Sequence, residues 1–270
     1  MKRDDIQNDG IPMPVSVARI CRYPVKGLSA EDMGRVRLTA GQCLPHDRRF
    51  ALAHEATQFD PACPVWLPKT NFLMLMRNAE LARLRTRFDE HSGSFTIERD
   101  GQMALKADIT DPAQRPLIAR FFVDFLGAVD TGTPWIVEAP GHTFSDARQK
   151  PNSSTFKYVS IVNLASIRAL ERAAELPIDP IRFRANVYLE GLPAWAEFDW
   201  VDSEITIGDA RLRVVSRIGR CAATTVNPST AERDLDVLTI LQRSFGHCCM
   251  GVYGEVIGGG EIATGDSVTQ

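Results

Sequence analysis

The chain has 270 residues, enough to bury a sizeable core, and its 44% hydrophobic and 24% charged residues are typical of a globular protein. Its 31 basic and 34 acidic residues give a formal net charge of −3, so no global field attracts it to nucleic acid or acidic lipid. A site for an anion must therefore be local.

The first part of the chain has the pattern of short strands. After a polar opening, apolar residues either alternate with polar residues or occur in short runs, and Gly and Pro residues separate these segments. Strands are expected at residues 15–23, 35–38 and 50–53. The clearest hairpin lies at Asp100-Gly101, because this dipeptide tolerates the positive φ of a tight turn and apolar residues flank it at 95–97 and 103–105.

A helix is expected after Asp111-Pro112, and Gly127 is positioned to end it. Its apolar side chains fall on one face: Leu117, Ile118, Phe121, Phe122, Phe125 and Leu126. The polar stretch 141–155 that follows is interpreted as either a linker or a loop over a site. We place the domain boundary there, which gives domains at 13–140 and 141–270.

The second half continues with mixed elements. Asn163 is positioned to cap a helix, and Gly208-Asp209 predicts a second hairpin. Further expected elements are a strand at 187–189, a short helix marked by Leu235, Leu238 and Leu241, and final strands at 252–257, 262 and 265–268. Strands outnumber helices and rarely alternate with them, so the fold class is predominantly β with several helices (α+β), built as one or two mostly antiparallel barrels.

Composition also bears on location and redox chemistry. No run of about 18 apolar residues occurs, and the polar N-terminus lacks the apolar region of a signal peptide, so a cytoplasmic protein with no membrane partner is expected. The six cysteines form no disulfide framework and lack a plant-type iron–sulfur spacing. If the protein transfers electrons, a partner must supply them.

One cysteine stands out in the run Ser216 to Thr225. Cys221 follows Arg220 at the end of a predicted strand, and a nearby guanidinium favours the thiolate, which is both a nucleophile and a soft-metal ligand. The alternative is a small buried apolar residue. His247-Cys248-Cys249 could join Cys221 at a zinc ion, but adjacent cysteines rarely both reach one tetrahedral metal.

Basic residues from distant segments form a second candidate group. Converging Arg and Lys side chains bind phosphate well, whereas each residue taken singly is typical of solvated surface. The group consists of Lys26, Arg48, Arg49, Arg182 and Arg184. Phosphate-loop, nucleophile-elbow and metalloprotease motifs are absent from the sequence.

A series of motifs in fixed order resembles the MOSC family over about residues 15–268. The series is Tyr23-Pro24-Val25-Lys26-Gly27, Asp47-Arg48-Arg49-Phe50, Phe183-Arg184-Ala185-Asn186, Ala196-Glu197-Phe198-Asp199-Trp200 and Arg220-Cys221-Ala222-Ala223-Thr224-Thr225-Val226-Asn227-Pro228. The resemblance implies a MOSC N-terminal β-barrel-like domain followed by a MOSC β-barrel domain.

The resemblance also implies a molybdenum cofactor (Mo-molybdopterin) with Cys221 as metal ligand and catalytic residue. Cofactor contacts are implied for Lys26, Gly27, Arg48, Asn163, Arg184, Asn186, Gly219, Arg220 and Tyr253. The sequence departs from the family where relatives often have Cys, Ser and Pro: these positions hold Ile218, Gly27 and Ala185. Only Cys221 of the family's paired cysteines therefore remains.

Three functions are compatible with the resemblance. The amidoxime-reductase branch implies an oxidoreductase that reduces small N-hydroxylated compounds and receives electrons from a ferredoxin-like protein, a flavoprotein or a cytochrome b5-like protein. MOSC domains also end cofactor sulfurases, so a cofactor carrier or sulfur-transfer protein is the alternative. The large pyridoxal-phosphate desulfurase region of those proteins has no counterpart here. A metal-free binding module is the third alternative, because Ile218 stands where relatives often have the first of two cysteines.

Overall fold

The computed structural model describes residues 14–127, 132–147 and 156–270. Its strands within these residues are β1 Ser16–Arg22, β2 Glu31–Met33, β3 Arg35–Leu38, β4 Ala51–Ala53, β5 Leu84–Phe88, β6 Ser94–Arg99, β7 Gln102–Asp108, β8 Trp135–Val137, β9 Tyr158–Asn163, β10 Val187–Glu190, β11 Glu204–Ile207, β12 Ala210–Gly219, β13 Cys249–Gly258, β14 Gly260–Ala263 and β15 Val268–Thr269. The α-helices are α1 Arg115–Leu126, α2 Leu164–Ala174 and α3 Val237–Phe245.

The main sheet combines strands from both ends of the chain in the order β15-β11-β12-β13-β9-β10-β1-β2. Only β9 and β10 pair in parallel within this sheet as described. Backbone hydrogen bonds also join the chain at the start of β1 to β15 and the turn before it: Val17 N donates to Asp266 O at 2.9 Å, and Val268 N donates to Val15 O at 2.8 Å. These bonds close the sheet, which confirms the expected mostly antiparallel barrel.

The barrel is filled by side chains that alternate between the two faces of its strands. In β12 the buried positions include Leu212 and Val214, while Arg211 and Arg213 are exposed. The same core contains Ile20 from β1, so the N-terminal strands contribute to the core of the C-terminal sheet. The core of the barrel is thus shared by residues on both sides of the polar stretch.

The region between β3 and β9 forms a second core. Strands β5, β6 and β7 make a meander whose β6–β7 turn has positive φ at Asp100 (52°) and Gly101 (77°), as the sequence predicts. Helix α1 packs Ile118 and Phe122 against this meander, and Gly127 ends it with φ 72°. Among the described helices, none has the length and apolar character needed to cross a membrane.

Two boundaries differ from expectation. The predicted strand over 265–268 is reduced to Val268–Thr269, because the Asp266 side chain accepts a hydrogen bond from Ala263 N (2.7 Å) and makes a turn there. Leu235 lies before α3, since Asp236 caps that helix by accepting from Thr239 N at 3.1 Å. The polar opening up to residue 13 and residues 148–155 of the polar stretch lie outside the described residues.

Candidate functional site

A cavity of about 560 Å³ lies where loops of the N-terminal region meet the ends of β9, β12 and β13. Nine of the ten residues proposed for the site from sequence line it: Lys26, Gly27, Arg48, Arg184, Asn186, Gly219, Arg220, Cys221 and Tyr253. Because these residues come from five distant segments, the cavity is a product of the tertiary fold.

Cys221 is held at the junction of a strand and a short turn. It follows β12 and precedes the 3-10 helix Ala222–Thr225. Its carbonyl oxygen accepts hydrogen bonds from Thr224 N at 3.0 Å and from Thr224 Oγ1 at 2.9 Å, which fix the backbone. The residue is partly exposed, so its thiol is accessible from the cavity.

Arg220 is anchored by backbone carbonyls beside the thiol. Its guanidinium donates to Phe183 O at 2.7 Å and to Met250 O, and its backbone N–H donates to Cys248 O at 2.8 Å. Burial lowers the pKa of Arg220, and the neighbouring Tyr253 opposes that shift. The arginine is therefore a fixed positive charge whose burial is best compensated by an anion.

Two further arginines enclose an aromatic ring. The Arg48 and Arg184 guanidiniums lie 4.8 Å and 4.3 Å from the centroid of Tyr23. Arg48 also forms an ion pair with Asp47, whose carboxylate accepts from Tyr23 N at 2.8 Å. Both arginines have left-handed backbone, with φ 52° at Arg48 and 50° at Arg184, which costs about 1 kcal/mol or more each. Strain of this kind is concentrated at functional sites.

Lys26 brings part of the polar stretch onto the cavity. Its ammonium donates to Phe144 O at 2.9 Å and forms an ion pair with Asp146, whose carboxylate is half-exposed. Burial lowers the pKa of Lys26, and although burial acts to raise the pKa of Asp146, the charge of Lys26 holds it below its usual range. Residues 141–147 thus form a loop over the cavity, as one of the two sequence interpretations held.

Aromatic and amide side chains complete the lining. Tyr253 lies 5.7 Å from Tyr158, centroid to centroid, and burial raises the pKa of Tyr253. Asn186 accepts from Ser160 Oγ at 2.7 Å and donates to Cys21 O at 3.1 Å, so it ties β9 to β1 beneath the cavity. Gly27 has φ 82°, a left-handed conformation that glycine adopts readily and that residues with a Cβ atom rarely adopt.

Sequence comparison agrees with this architecture. The sequence model of the MOSC domain matches residues 142–269, and that of the MOSC N-terminal beta barrel domain matches residues 15–136. The chain belongs to the MOSC family. Because β1 and β2 join the sheet formed by the later strands, the two matched ranges build one shared barrel core.

Curated relatives of this MOSC protein include two kinds. Mitochondrial amidoxime-reducing component 1 from Xenopus laevis is 34% identical over 90 residues, which is 32% of this chain and 26% of that protein. Molybdenum cofactor sulfurase from Caenorhabditis briggsae is 22% identical over 237 residues, 84% of this chain and 31% of that protein. The matched part spans about a quarter to a third of these relatives. A crystal structure of YUAD protein from Bacillus subtilis has a TM-score of 0.44 at 13% identity, covering 95% of this chain and 94% of that chain.

Two sequence-proposed basic or polar residues lie away from the cavity. Asn163 is fully buried, caps α2 by accepting from Ala165 N at 3.0 Å, and donates to Pro193 O at 2.7 Å. Arg49 points away from Arg48 and donates to Glu138 at 2.7 Å. The capping role predicted for Asn163 is therefore observed, and its predicted cofactor contact is not supported by its position.

The zinc alternative finds no geometric support. The Cys248 thiol contacts Leu238 O at 3.8 Å and Gln242 Oε1 at 3.5 Å, on the side of α3, while Cys249 packs against the barrel core. In the three described ranges, no three His, Cys, Asp or Glu side chains are grouped to hold a metal ion.

The cavity contains residues that sequence reasoning did not select. Asp47 belongs to the same family motif as Arg48 but is not among the predicted site residues. Thr143 and Asp146 lie in the polar stretch and Arg217 lies in the run around Cys221, but none of the three is predicted individually. Four further polar lining residues carry no local signal: Cys43, Lys69, Tyr158 and Ser160. In total the lining has seven basic and two acidic side chains, in a chain whose formal net charge is −3. The cavity lining therefore carries more positive than negative side chains, as a local anion site requires.

Proposed function

We propose that this cavity binds a molybdenum cofactor, with Cys221 as the protein ligand to the metal, and that the protein reduces N-hydroxylated compounds. The observation that carries the proposal is the position of Cys221 on the wall of a cavity with seven basic and two acidic side chains. The relatives named for amidoxime reduction and for molybdenum cofactor sulfuration support the choice of cofactor.

The donor set of the cavity fits such a group. The cofactor carries an anionic phosphate and a polar pterin edge, which need cationic and N–H donors. Among the described residues, neither Arg184 nor Arg220 forms an ion pair, and Arg184 Nη2 is buried without a hydrogen-bond partner. Burial lowers the pKa of both arginines, so an anion bound in the cavity that both line relieves an unfavourable state.

Each residue has a definable task in this proposal. A bound molybdenum cofactor supplies two-electron redox chemistry at its metal. Cys221 holds the metal through its thiolate, and Arg220 is kept in place by carbonyls to bind the anionic group. Tyr158 and Tyr253 form an aromatic wall, and buried Ile218 adds an apolar side chain to the cavity lining. The protein thus supplies orientation and electrostatics.

The reaction needs an external donor of electrons. The N–O bond of the substrate breaks, two electrons and two protons are taken up, and water leaves. We propose that a separate ferredoxin-like, flavin-containing or cytochrome b5-like protein supplies the electrons, that the protein acts in the cytoplasm, and that neither nucleic acid nor membrane is a partner.

The test is the molybdenum and pterin content of protein purified from a host that makes the cofactor. Wild type is expected to hold one metal per chain, and Cys221→Ser is expected to lose most of it because a hydroxyl is a poor soft-metal ligand. Cys63→Ser is the matched control, since Cys63 is exposed and outside the cavity. Metal in the Cys221→Ser protein at the wild-type level, or neither metal nor pterin in wild type, contradicts the proposal.

A sulfur-transfer role is the second candidate, because the sulfurase relative aligns with 84% of this chain, against 32% for the amidoxime-reducing relative. Mass spectrometry separates the two. A persulfide on Cys221, with no turnover of hydroxylamine by chemically reduced protein, favours the carrier. Turnover without persulfide favours the reductase. If a folded protein shows neither turnover nor persulfide, a binding module is favoured.

A further inference from the structure

A second cavity of about 360 Å³, which we call the side cavity, adjoins the first. It lies between β5 with the preceding turn on one side and residues 179–184 and 223–228 on the other. Its walls are mainly apolar, and the main contributors are Leu28, Leu81, Leu84, Ile181, Val226 and Pro228. This volume is within the range of pockets that enclose small organic molecules.

The two cavities are neighbours that share part of their lining. Five residues line both: Gly27, Leu75, Arg182, Arg184 and Ala223. Ala223 belongs to the same short turn as Cys221, two residues farther along the chain. A molecule in the side cavity therefore lies beside the segment that carries the thiol.

The side cavity is held open by polar contacts. Arg233 donates to Met76 O at 2.8 Å on one side and to Thr225 Oγ1 at 3.0 Å on the other, joining the two walls. Ser29 Oγ donates to Leu84 O at 2.7 Å and accepts from Thr86 N at 3.1 Å. Because these bonds fix both walls, the cavity is preformed and binding costs little reorganisation.

The charge of the lining restricts the occupant. Four arginines and one acidic residue, Asp179, line the side cavity. Asp179 accepts a hydrogen bond from Ile181 N at 2.8 Å. Arg19 and Arg182 are paired with Asp32 and Asp234. Among the described residues, Arg85 and Arg184 form no ion pair, so they supply the excess positive charge of the side cavity. A cation placed here meets like charges in a partly desolvated space, whereas a neutral or anionic molecule does not.

We propose that the side cavity binds the apolar body of a neutral or anionic aromatic compound, and so selects the substrate of this protein. Its binding role stands on the cavity alone. The further step, in which an N-hydroxylated head group extends toward Cys221, rests on the proposed function.

Three ligands of nearly equal shape test the binding role: benzamide (neutral), benzoate (anionic) and benzamidine (cationic). Dissociation constants are measured by NMR titration of the full chain. Benzamide and benzoate are expected to bind at least about tenfold more tightly than benzamidine. Ala82→Trp, which fills the cavity from a partly exposed position, is expected to weaken benzamide at least about tenfold.

Ala113→Trp, at an exposed position outside the cavity, is the matched control and should bind like wild type. Ala30→Leu narrows another part of the wall and replaces Ala82→Trp if that variant lacks a cooperative thermal transition. No saturable binding, equal binding by the filled variant, or tightest binding of benzamidine overturns the proposal.

The substrate step is tested on cofactor-loaded protein with hydroxylamine and benzhydroxamic acid. Ala82→Trp should lower kcat/KM for benzhydroxamic acid at least about tenfold and leave hydroxylamine unchanged. An equal effect on both substrates overturns the substrate step. If loaded wild type reduces neither compound, the proposed function fails, whereas the binding role is still decided by the titrations.

Discussion

The thiols of this protein differ widely in their surroundings. Cys63 is exposed, Cys221 is partly exposed at the cavity, and Cys21 is fully buried in β1. Burial raises the pKa of Cys21 to about 12 and that of Cys43, inside the cavity, to about 11. Two thiols that line the same cavity, Cys43 and Cys221, therefore need not share one chemical role.

Alkylation by iodoacetamide tests the difference, because the thiolate is the reacting form. Cys43 should react slowly at neutral pH and accelerate only as the pH approaches about 11. Peptide mass spectrometry gives the rates, with exposed Cys63 as internal control. Labelling of Cys43 at pH 7.5 as fast as Cys63 would contradict the prediction.

The same shift has a consequence for stability. A thiol whose pKa is raised in the folded state stabilises the fold fully below its unfolded pKa of about 8.5. Above that pH the unfolded thiol ionises first, so the contribution of Cys21 and Cys43 falls as the pH rises toward 11 to 12.

Among the secondary-structure elements, two helices begin with a similar capping residue, but the two caps differ in their surroundings. Asn163 caps α2 and also donates to Glu197 at 3.1 Å, a buried carboxyl whose pKa burial raises. Asp236 caps α3 at an exposed position. Each is a residue type that commonly caps helices, yet of the two only Asn163 also belongs to a buried polar network.

Asn163→Ala should therefore lower the free energy of unfolding by about 2–4 kcal/mol, since it removes the cap and leaves Glu197 short of a donor. Asp236→Ala should cost only about 1 kcal/mol. Denaturant unfolding measures both. If folded Asn163→Ala keeps the metal content of wild type, its role is structural; selective loss of the metal would restore the predicted cofactor contact.

Arg233 is an element-level clamp between the loop at 75–76 and the turn that follows Cys221. Arg233→Ala should cost at most about 1 kcal/mol because the side chain is exposed. Hydrogen exchange should nevertheless rise at 74–77 and 222–225 and stay unchanged at 95–105. Arg120→Ala, which breaks an exposed ion pair with Asp124, is the control. Equal protection in both variants would show that Arg233 does not hold the walls.

For the whole molecule, the decisive feature is the barrel shared by the two family ranges. β1 pairs with β10, and β3 pairs with β14. Val17, Ile20, Val36 and Leu38 contribute to the core of the barrel from the N-terminal side. Burial of each contributes roughly 2 kcal/mol, and together they are comparable to the net stability of a typical domain.

A fragment of residues 142–270 should therefore lack a cooperative unfolding transition, although it contains the matched MOSC domain. Coexpression with residues 1–141 should restore a soluble complex, because it returns β1 and β3 to their partners. Circular dichroism and calorimetry of the fragment provide the measurement. A stable fragment with a sharp transition would show that the N-terminal strands are dispensable.

Local patterns determined much of this protein. The hairpin at Asp100-Gly101, the cap at Asn163 and the end of α1 at Gly127 depend on neighbouring residues only, so the sequence predicts them. The motif series around Lys26, Arg48, Arg184 and Cys221 likewise predicts residues that line the cavity.

Tertiary structure decided what depends on residues distant in sequence. Arg48 lines the cavity and Arg49 does not, because Arg49 pairs with Glu138, the residue that follows β8. Asp146 and Cys43 reach the site only through folding, and so does the side cavity beside Cys221. A sequence pattern shows the spacing of apolar residues and the local preference of the backbone. The convergence of side chains on one cavity and their desolvation depend on contacts between distant segments, and these contacts exist only once the barrel has closed.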